Sequence, residues 1–160
     1  MDWLAPLNTL IGAGIGVGST LLADRLRWRR DRVNAGQDAR RQSYAAFMGA
    51  LSDAFQKLHE VARGDHDPGE AQTRAHEVFV GSNLYPLRYQ LVLIASWSVV
   101  EPTNKAFWKI RELRDLVARG VITSSPDFRR LVREYIDAAE EAQVAMRADL
   151  GTSWPQRDTP

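Results

Sequence analysis

His59, His66 and His76 are the side chains of this sequence best placed to bind a metal or to move protons near neutral pH. A di-iron bundle requires Glu-x-x-His pairs, and the residues three before these histidines are Gln56, Arg63 and Thr73. The zinc-hydrolase pattern H-E-x-x-H is absent too. Asp65-His66-Asp67 puts three metal-capable groups in a row, but it sits in a turn where an aspartate commonly caps the next helix. His59 flanks an apolar helix stripe and reads as a boundary residue. Glu134, Asp137 and Glu141 share one helix face near Arg130 and Arg133, the pattern of a solvated surface with ion pairs worth about 0.2–0.5 kcal/mol each. No spacing of serine and histidine selects a nucleophilic triad. With no cysteine there is no disulfide, thiolate zinc site or cysteine nucleophile. We therefore expect no catalytic residue, no metal and no cofactor, and read the chain as not an enzyme.

One further string invites a chemical reading. Gly12-Ala13-Gly14-Ile15-Gly16-Val17-Gly18-Ser19-Thr20 resembles a phosphate-binding loop, yet no lysine precedes Ser19-Thr20 and the spacing fits neither G-x-x-x-x-G-K-[ST] nor G-x-G-x-x-G. The string belongs instead to a run of twenty-one residues, Trp3 to Ala23, without a charge. As a helix that run is about 31 Å long, which matches the hydrocarbon core of a bilayer. Leu4, Leu7, Leu10, Ile11, Ile15, Val17, Leu21 and Leu22 together favour insertion by about 4 kcal/mol, opposed by Asn8, Thr9, Ser19 and Thr20. Trp3 and Trp28 bracket it at about 37 Å, near the separation of the two membrane interfaces.

No basic residue precedes the run, as a cleaved signal peptide would require. The positive charge follows it: Arg25, Arg27, Arg29, Arg30 and Arg32 lie within eight residues. By the positive-inside rule the expected location is the cell membrane, single-pass, with the amino terminus outside and the carboxy-terminal domain cytoplasmic. These arginines set topology and contact lipid headgroups, at about 1 kcal/mol per basic residue. Residues 24–41 carry a net charge of +4 and residues 42–160 a net of −2, so the folded domain lacks the basic face that nucleic acid needs.

Glycine is a poor helix former, so several in one span need a reason. Asn8, Gly12, Gly16 and Thr20 repeat every four residues as one small or polar ridge, and Gly14 and Gly18 form a second groove rotated by about 200°. Such ridges let helices approach closely in lipid. The first suits a two-fold pair, and two roughly opposite grooves suit a helix with a neighbour on each side. The expected partners are thus the membrane, further copies of the chain as a homo-oligomer, and an unidentified protein.

The rest of the sequence supplies helices. Hydrophobic residues at 44% and charged residues at 26% describe an ordinary folded chain. Residues 24–42 read as an exposed basic stalk, in which Gly36 interrupts the helical pattern. From Tyr44 an apolar stripe runs at helical spacing through Phe47, Met48, Leu51, Phe55, Leu58 and Val61/Ala62 to Gly64. Asp67-Pro68-Gly69-Glu70 reads as N-cap, first-turn proline and capping-box glutamate of a second helix, with Ala71, Ala75, Val78 and Phe79 buried and Gly81 closing it.

Leu84 to Ala95 is the most apolar stretch and reads as a buried core helix, too short for a second span and interrupted by Arg88. A fourth helix opens near Ser98, where Ser98-Val99-Val100-Glu101 resembles a capping box and Pro102 makes the boundary ambiguous, and carries Ala106, Phe107, Ile110, Leu113 and Val117 to Gly120. A fifth opens at Ser125-Pro126-Asp127, buries Phe128, Leu131, Val132, Tyr135, Ile136, Ala139, Ala142 and Met146, and ends at Gly151. Trp97 and Trp108 are expected to pack, and Trp154 either folds back on the bundle or docks elsewhere. No segment alternates with period two.

The expected fold is all-α: one transmembrane helix (1–23), a basic stalk (24–42), a cytoplasmic bundle of about five helices (43–151) and a flexible tail (152–160). The Gly-rich span, the segment Leu22-Ala23-Asp24-Arg25-Leu26-Arg27-Trp28-Arg29-Arg30-Asp31-Arg32, the Tyr/Phe-led helix after it and the ending Met146-Arg147-Ala148-Asp149-Leu150-Gly151 together resemble a group of small single-pass membrane-anchored helical proteins of actinobacteria. That resemblance covers most of the chain and implies the architecture, with no activity to carry over. The expected function is a membrane-tethered helical interaction module that self-associates through its span. The alternative is an oligomerising, membrane-perturbing effector whose cytoplasmic bundle senses a trigger.

Overall fold

The structure is a computed structural model, and it describes residues 36–152. These residues form an all-α unit, with no strand among them. Helix α1 covers residues 36–63, followed by α2 (Pro68–Gly81), α3 (Leu84–Ile94), α4 (Trp97–Ala118) and α5 (Pro126–Asp149). Among the described residues no helix is long and apolar enough to cross a membrane. The run from Trp3 to Ala23, the arginines from Arg25 to Arg32, and Trp154 lie outside the described residues. Residues 36–42 of the expected stalk are helical, Gly36 included, and continue into α1 without a break; a compact unit begins at Arg40.

Local chemistry explains most helix ends. Asp67 Oδ1 accepts from the Glu70 backbone N–H at 2.9 Å, satisfying an otherwise unpaired donor at the start of α2, and Pro68 has no N–H to satisfy. The reciprocal half of the expected capping box is missing, because the Glu70 carboxylate turns to Arg74 (2.8 Å) and His66 (3.3 Å). Gly120 and Gly151 take φ of +78° and +69°, the left-handed conformation that ends α4 and α5 at little cost to glycine.

Helix α2 closes at Gly81 as expected, but not through a left-handed glycine. The left-handed residue is Asn83 (φ 58°), two positions after Gly81, and Ser82 Oγ donates to the Phe79 carbonyl at 2.7 Å. Helix α4 is capped two residues earlier than expected: Ser96 is its N-cap and its carbonyl accepts from Val100 N–H at 3.0 Å. Pro102 therefore lies inside the helix, one turn past the first, where it cannot donate to the Ser98 carbonyl.

Contacts between helices fix their directions. Tyr135 Oη donates to the Leu51 carbonyl at 3.1 Å, Phe55 stacks on Tyr135 with ring centroids 4.9 Å apart, and His59 meets Phe128 edge-on at 5.6 Å. Helix α5 is thus antiparallel to α1. Lys105–Glu141 (2.7 Å) and Lys109–Glu134 (2.8 Å) make α5 antiparallel to α4 as well. Phe79 and Tyr85 both lie against Phe107, at 6.1 and 5.1 Å, and Arg88 bonds Asn104. So α2 and α3 descend α4 one after the other. The two short helices make one leg, interrupted at Ser82-Asn83, and the unit is an up-down-up-down bundle of four legs.

The core is apolar. Phe47, Phe107, Phe128, Leu51, Leu58, Leu91, Ile110 and Leu113 are almost completely buried, while Ser43, Ser82 and Thr103 are the buried polar residues among those described. Truncating one of the three phenylalanines to alanine costs about 3–5 kcal/mol at such sites. The stripes expected of α1, α2 and α4 are those that pack, joined by Ala54, Val99, Val100 and Leu116. On α5 the stripe is rotated: Ala138 is buried and Ile136 is 42% exposed. Tyr135 and Ala138, on the α1–α4 side, turn Ile136 outward.

Candidate functional site

The groups that could do chemistry are tied into the bundle's own contacts. His66 faces Glu70, and its ring covers Gly64 so closely that a Cβ there would collide with it. His59 lies between the rings of Phe55 and Phe128 at the edge of the core, as a boundary residue should, 3.4 Å from Arg63. His76 borders a shallow cleft with Thr73, Arg114 and Asp115. Among the described residues no group of histidines and carboxylates is arranged to hold a metal ion.

The acidic face of α5 behaves as a solvated face, but its ion pairs cross to α4 as well as running along α5. Glu134 binds Lys109 and Arg130, and Glu141 binds Lys105. The Lys109 ammonium lowers the Glu134 pKa, and Glu134 in turn raises that of Lys109. Glu134 and Glu141 are too well solvated for these pairs to hold α4 and α5 together by themselves.

At the end of the bundle where α1 enters, four polar groups converge. Asp149 Oδ2 accepts from Tyr44 Oη at 2.8 Å and from Arg40 at 3.5 Å, and Asp149 Oδ1 accepts from Ser96 Oγ at 2.6 Å. A carboxylate in the last turn of α5 is disfavoured by that helix's dipole. Here the same carboxylate lies at the first turn of α4, where a negative charge is favoured, and Ser96 makes no capping bond of its own. Burial alone would raise the Asp149 pKa; the hydrogen bonds from Ser96 and Tyr44 and the Arg40 charge outweigh it and hold the carboxyl below its ordinary value. Burial, followed by the bond to Asp149, pushes the Tyr44 hydroxyl well up.

The most unusual surface is on α3. The sequence pattern predicts a buried core helix, yet only Leu84 and Leu91 are fully covered. Tyr85 (39%), Tyr89 (61%), Val92 (39%) and Leu93 (85%) point outward, and Trp97, just past the break, is 73% exposed. The two tryptophans expected to pack do so poorly or not at all: Trp108 is 44% exposed and lies edge-on to Phe107 at 5.3 Å. An apolar run is buried all round only if neighbours cover every side. The α2–α3 leg packs along α4 on one flank, leaving an outer arc open.

Arg88 borders this arc on its α4 side. Its Nε donates to Asn104 Oδ1 at 2.7 Å, and its guanidinium is 5.1 Å from the Phe107 ring centre, 5.7 Å from Tyr89 and 5.9 Å from Trp108. The planar cation shields the rings' faces and keeps a positive charge on the apolar surface.

The residues expected to pack the span, Asn8, Gly12, Gly14, Gly16, Gly18 and Thr20, and those expected to set topology, Arg25, Arg27, Arg29, Arg30 and Arg32, lie outside the described residues. The α3 surface and the Asp149 cluster were not foreseen. The signal for the first was present, since from Val78 to Val100 the chain carries one charge, Arg88. Comparison with protein families, with curated proteins and with solved structures finds no match.

Proposed function

We propose that this chain is a non-enzymatic, membrane-tethered helical interaction module. Residues 3–23 cross the bilayer and self-associate through the ridge Asn8, Gly12, Gly16 and Thr20. Arg25 to Arg32 hold the following domain in the cytoplasm, where the bundle binds a protein partner. The observation that carries this reading is the charge-free run of twenty-one residues followed at once by five arginines in eight.

The test is the mass of the full-length protein in nanodiscs, compared with the variant Gly12→Leu/Gly16→Leu. The double variant inserts normally and dissociates to smaller species; an unchanged mass overturns the ridge as the interface. Replacing Arg25, Arg27, Arg29, Arg30 and Arg32 with asparagine scrambles orientation across the membrane, read by protease protection. Unaltered orientation would place the topology signal elsewhere.

The second groove, Gly14 and Gly18, favours one other reading. A helix with a neighbour on each side builds rings, and ringed spans perturb a bilayer. Dye release from liposomes carrying the purified protein identifies that effector, and tight liposomes favour the interaction module.

A further inference from the structure

Six of the ten large apolar side chains exposed among the described residues fall between Val80 and Trp97, so the exposure is concentrated rather than scattered. Tyr85, Tyr89, Val92 and Leu93 span an arc of about 100° on α3 at 100° per residue, and the exposed Trp97 follows at the first residue of α4. The arc is convex, the outer side of a helix, rather than a groove that would receive another helix. Its chemistry is that of a membrane interface: two tyrosines and a tryptophan with polar tips, two aliphatic side chains, and one cation with no carboxylate from Val78 to Val100.

The arc also lies where a bilayer is within reach. Ser96, between α3 and Trp97, bonds to Asp149, which bonds to Arg40 and Tyr44. The last turn of α3 is therefore at the end of the unit where the chain comes in from residues 3–23. Sixteen residues separate Ala23 from Arg40, a reach of at most about 60 Å even when extended. A second copy fits this surface less well. A two-fold contact buries the same face of both copies, so it would bring two Arg88 side chains into one apolar interface with no acid from the same stretch to pair with either.

We propose that the outer face of α3, with Trp97, is a membrane-docking surface that lays the bundle against the headgroup region of an anionic bilayer. The inference rests on the tether reading above, which supplies the bilayer. Docking places Leu93 and Tyr89 among the upper acyl chains and Arg88 beside lipid phosphates.

The chain has no cysteine, so a single Leu93→Cys substitution in the full-length protein accepts one fluorophore at a site 85% exposed, where folding does not depend on it. Glu140→Cys, exposed on α5, is the control. Each labelled protein is reconstituted in vesicles of roughly three parts phosphatidylcholine to one of phosphatidylglycerol, with nitroxide-bearing lipid as shallow quencher. The Leu93 label is expected to be quenched about threefold or more as strongly as the control, and less so in phosphatidylcholine alone. Equal quenching at the two sites, in protein that floats with the vesicles, overturns the docking surface and leaves the tether standing. Energy transfer between labels on separate chains, without lipid quenching, overturns it in favour of a second copy. Protein that does not float at all overturns the tether reading and, with it, this inference.

Discussion

Asp149 shows how much one side chain contributes when it answers several needs at once. It accepts from Ser96, Tyr44 and Arg40, and its side chain is only 10% exposed. Hydrogen bonds to a charged group of this kind are worth about 1.5–3 kcal/mol, so Asp149→Ala should lower unfolding stability by about 2 kcal/mol or more at neutral pH, measured by urea denaturation. Because the folded carboxyl titrates below its ordinary value of 3.8, its contribution is complete above that value and is lost as the pH falls through the folded pKa. The native protein should therefore weaken below about pH 4 with a slope that Asp149→Asn reduces. Thr103 is the opposite case. It is fully buried and its hydroxyl has no hydrogen-bond partner. Thr103→Val keeps the shape and removes the unsatisfied group, so stability should rise by about 1 kcal/mol; a loss of that size would mean the hydroxyl is satisfied in solution.

At the scale of the helices, the decisive feature is the break at Ser82-Asn83. Asn83 tolerates its left-handed backbone because its side chain is short and polar, whereas an alanine there pays about 1–2 kcal/mol. Asn83→Ala should destabilise by about that amount and Asn83→Gly should not, a pair separable by thermal melting. Helix ends were largely legible in the sequence because caps are local: Asp67-Pro68, Ser125-Pro126, Gly120 and Gly151 act within a turn of the residues they terminate. The apolar stripes of α1, α2 and α4 were legible for the same reason, since helical spacing fixes which residues share a side. What stayed hidden depends on neighbours distant in sequence. Leu93 and Trp97 look like core in composition, and only the packing of α2 and α3 in line along α4 exposes them. The start of α4 is masked in the sequence because Ser98 and Glu101 imitate a capping box, while the true cap, Ser96, is completed by Asp149 from more than fifty residues away.

At the scale of the whole unit, the number of legs matters more than the number of helices. Four alternating legs bring the beginning of α1 and the end of α5 to one end, held together by Arg40, Tyr44 and Asp149. The opposite end holds the turn of residues 64–67 and the loop of residues 119–125, linked by the Thr123 N–H to the Ala62 carbonyl at 3.1 Å. Order along the polypeptide is then separable from arrangement in space. A circularly permuted chain, with Thr152 joined to Arg40 through a short Gly/Ser linker and new termini opened at exposed Asp65, should keep the native helicity and a cooperative melt. The same permutation carries a practical corollary: it moves both termini to the far end, so a fluorescent protein fused there would no longer compete for space with whatever the α3 side of the molecule meets.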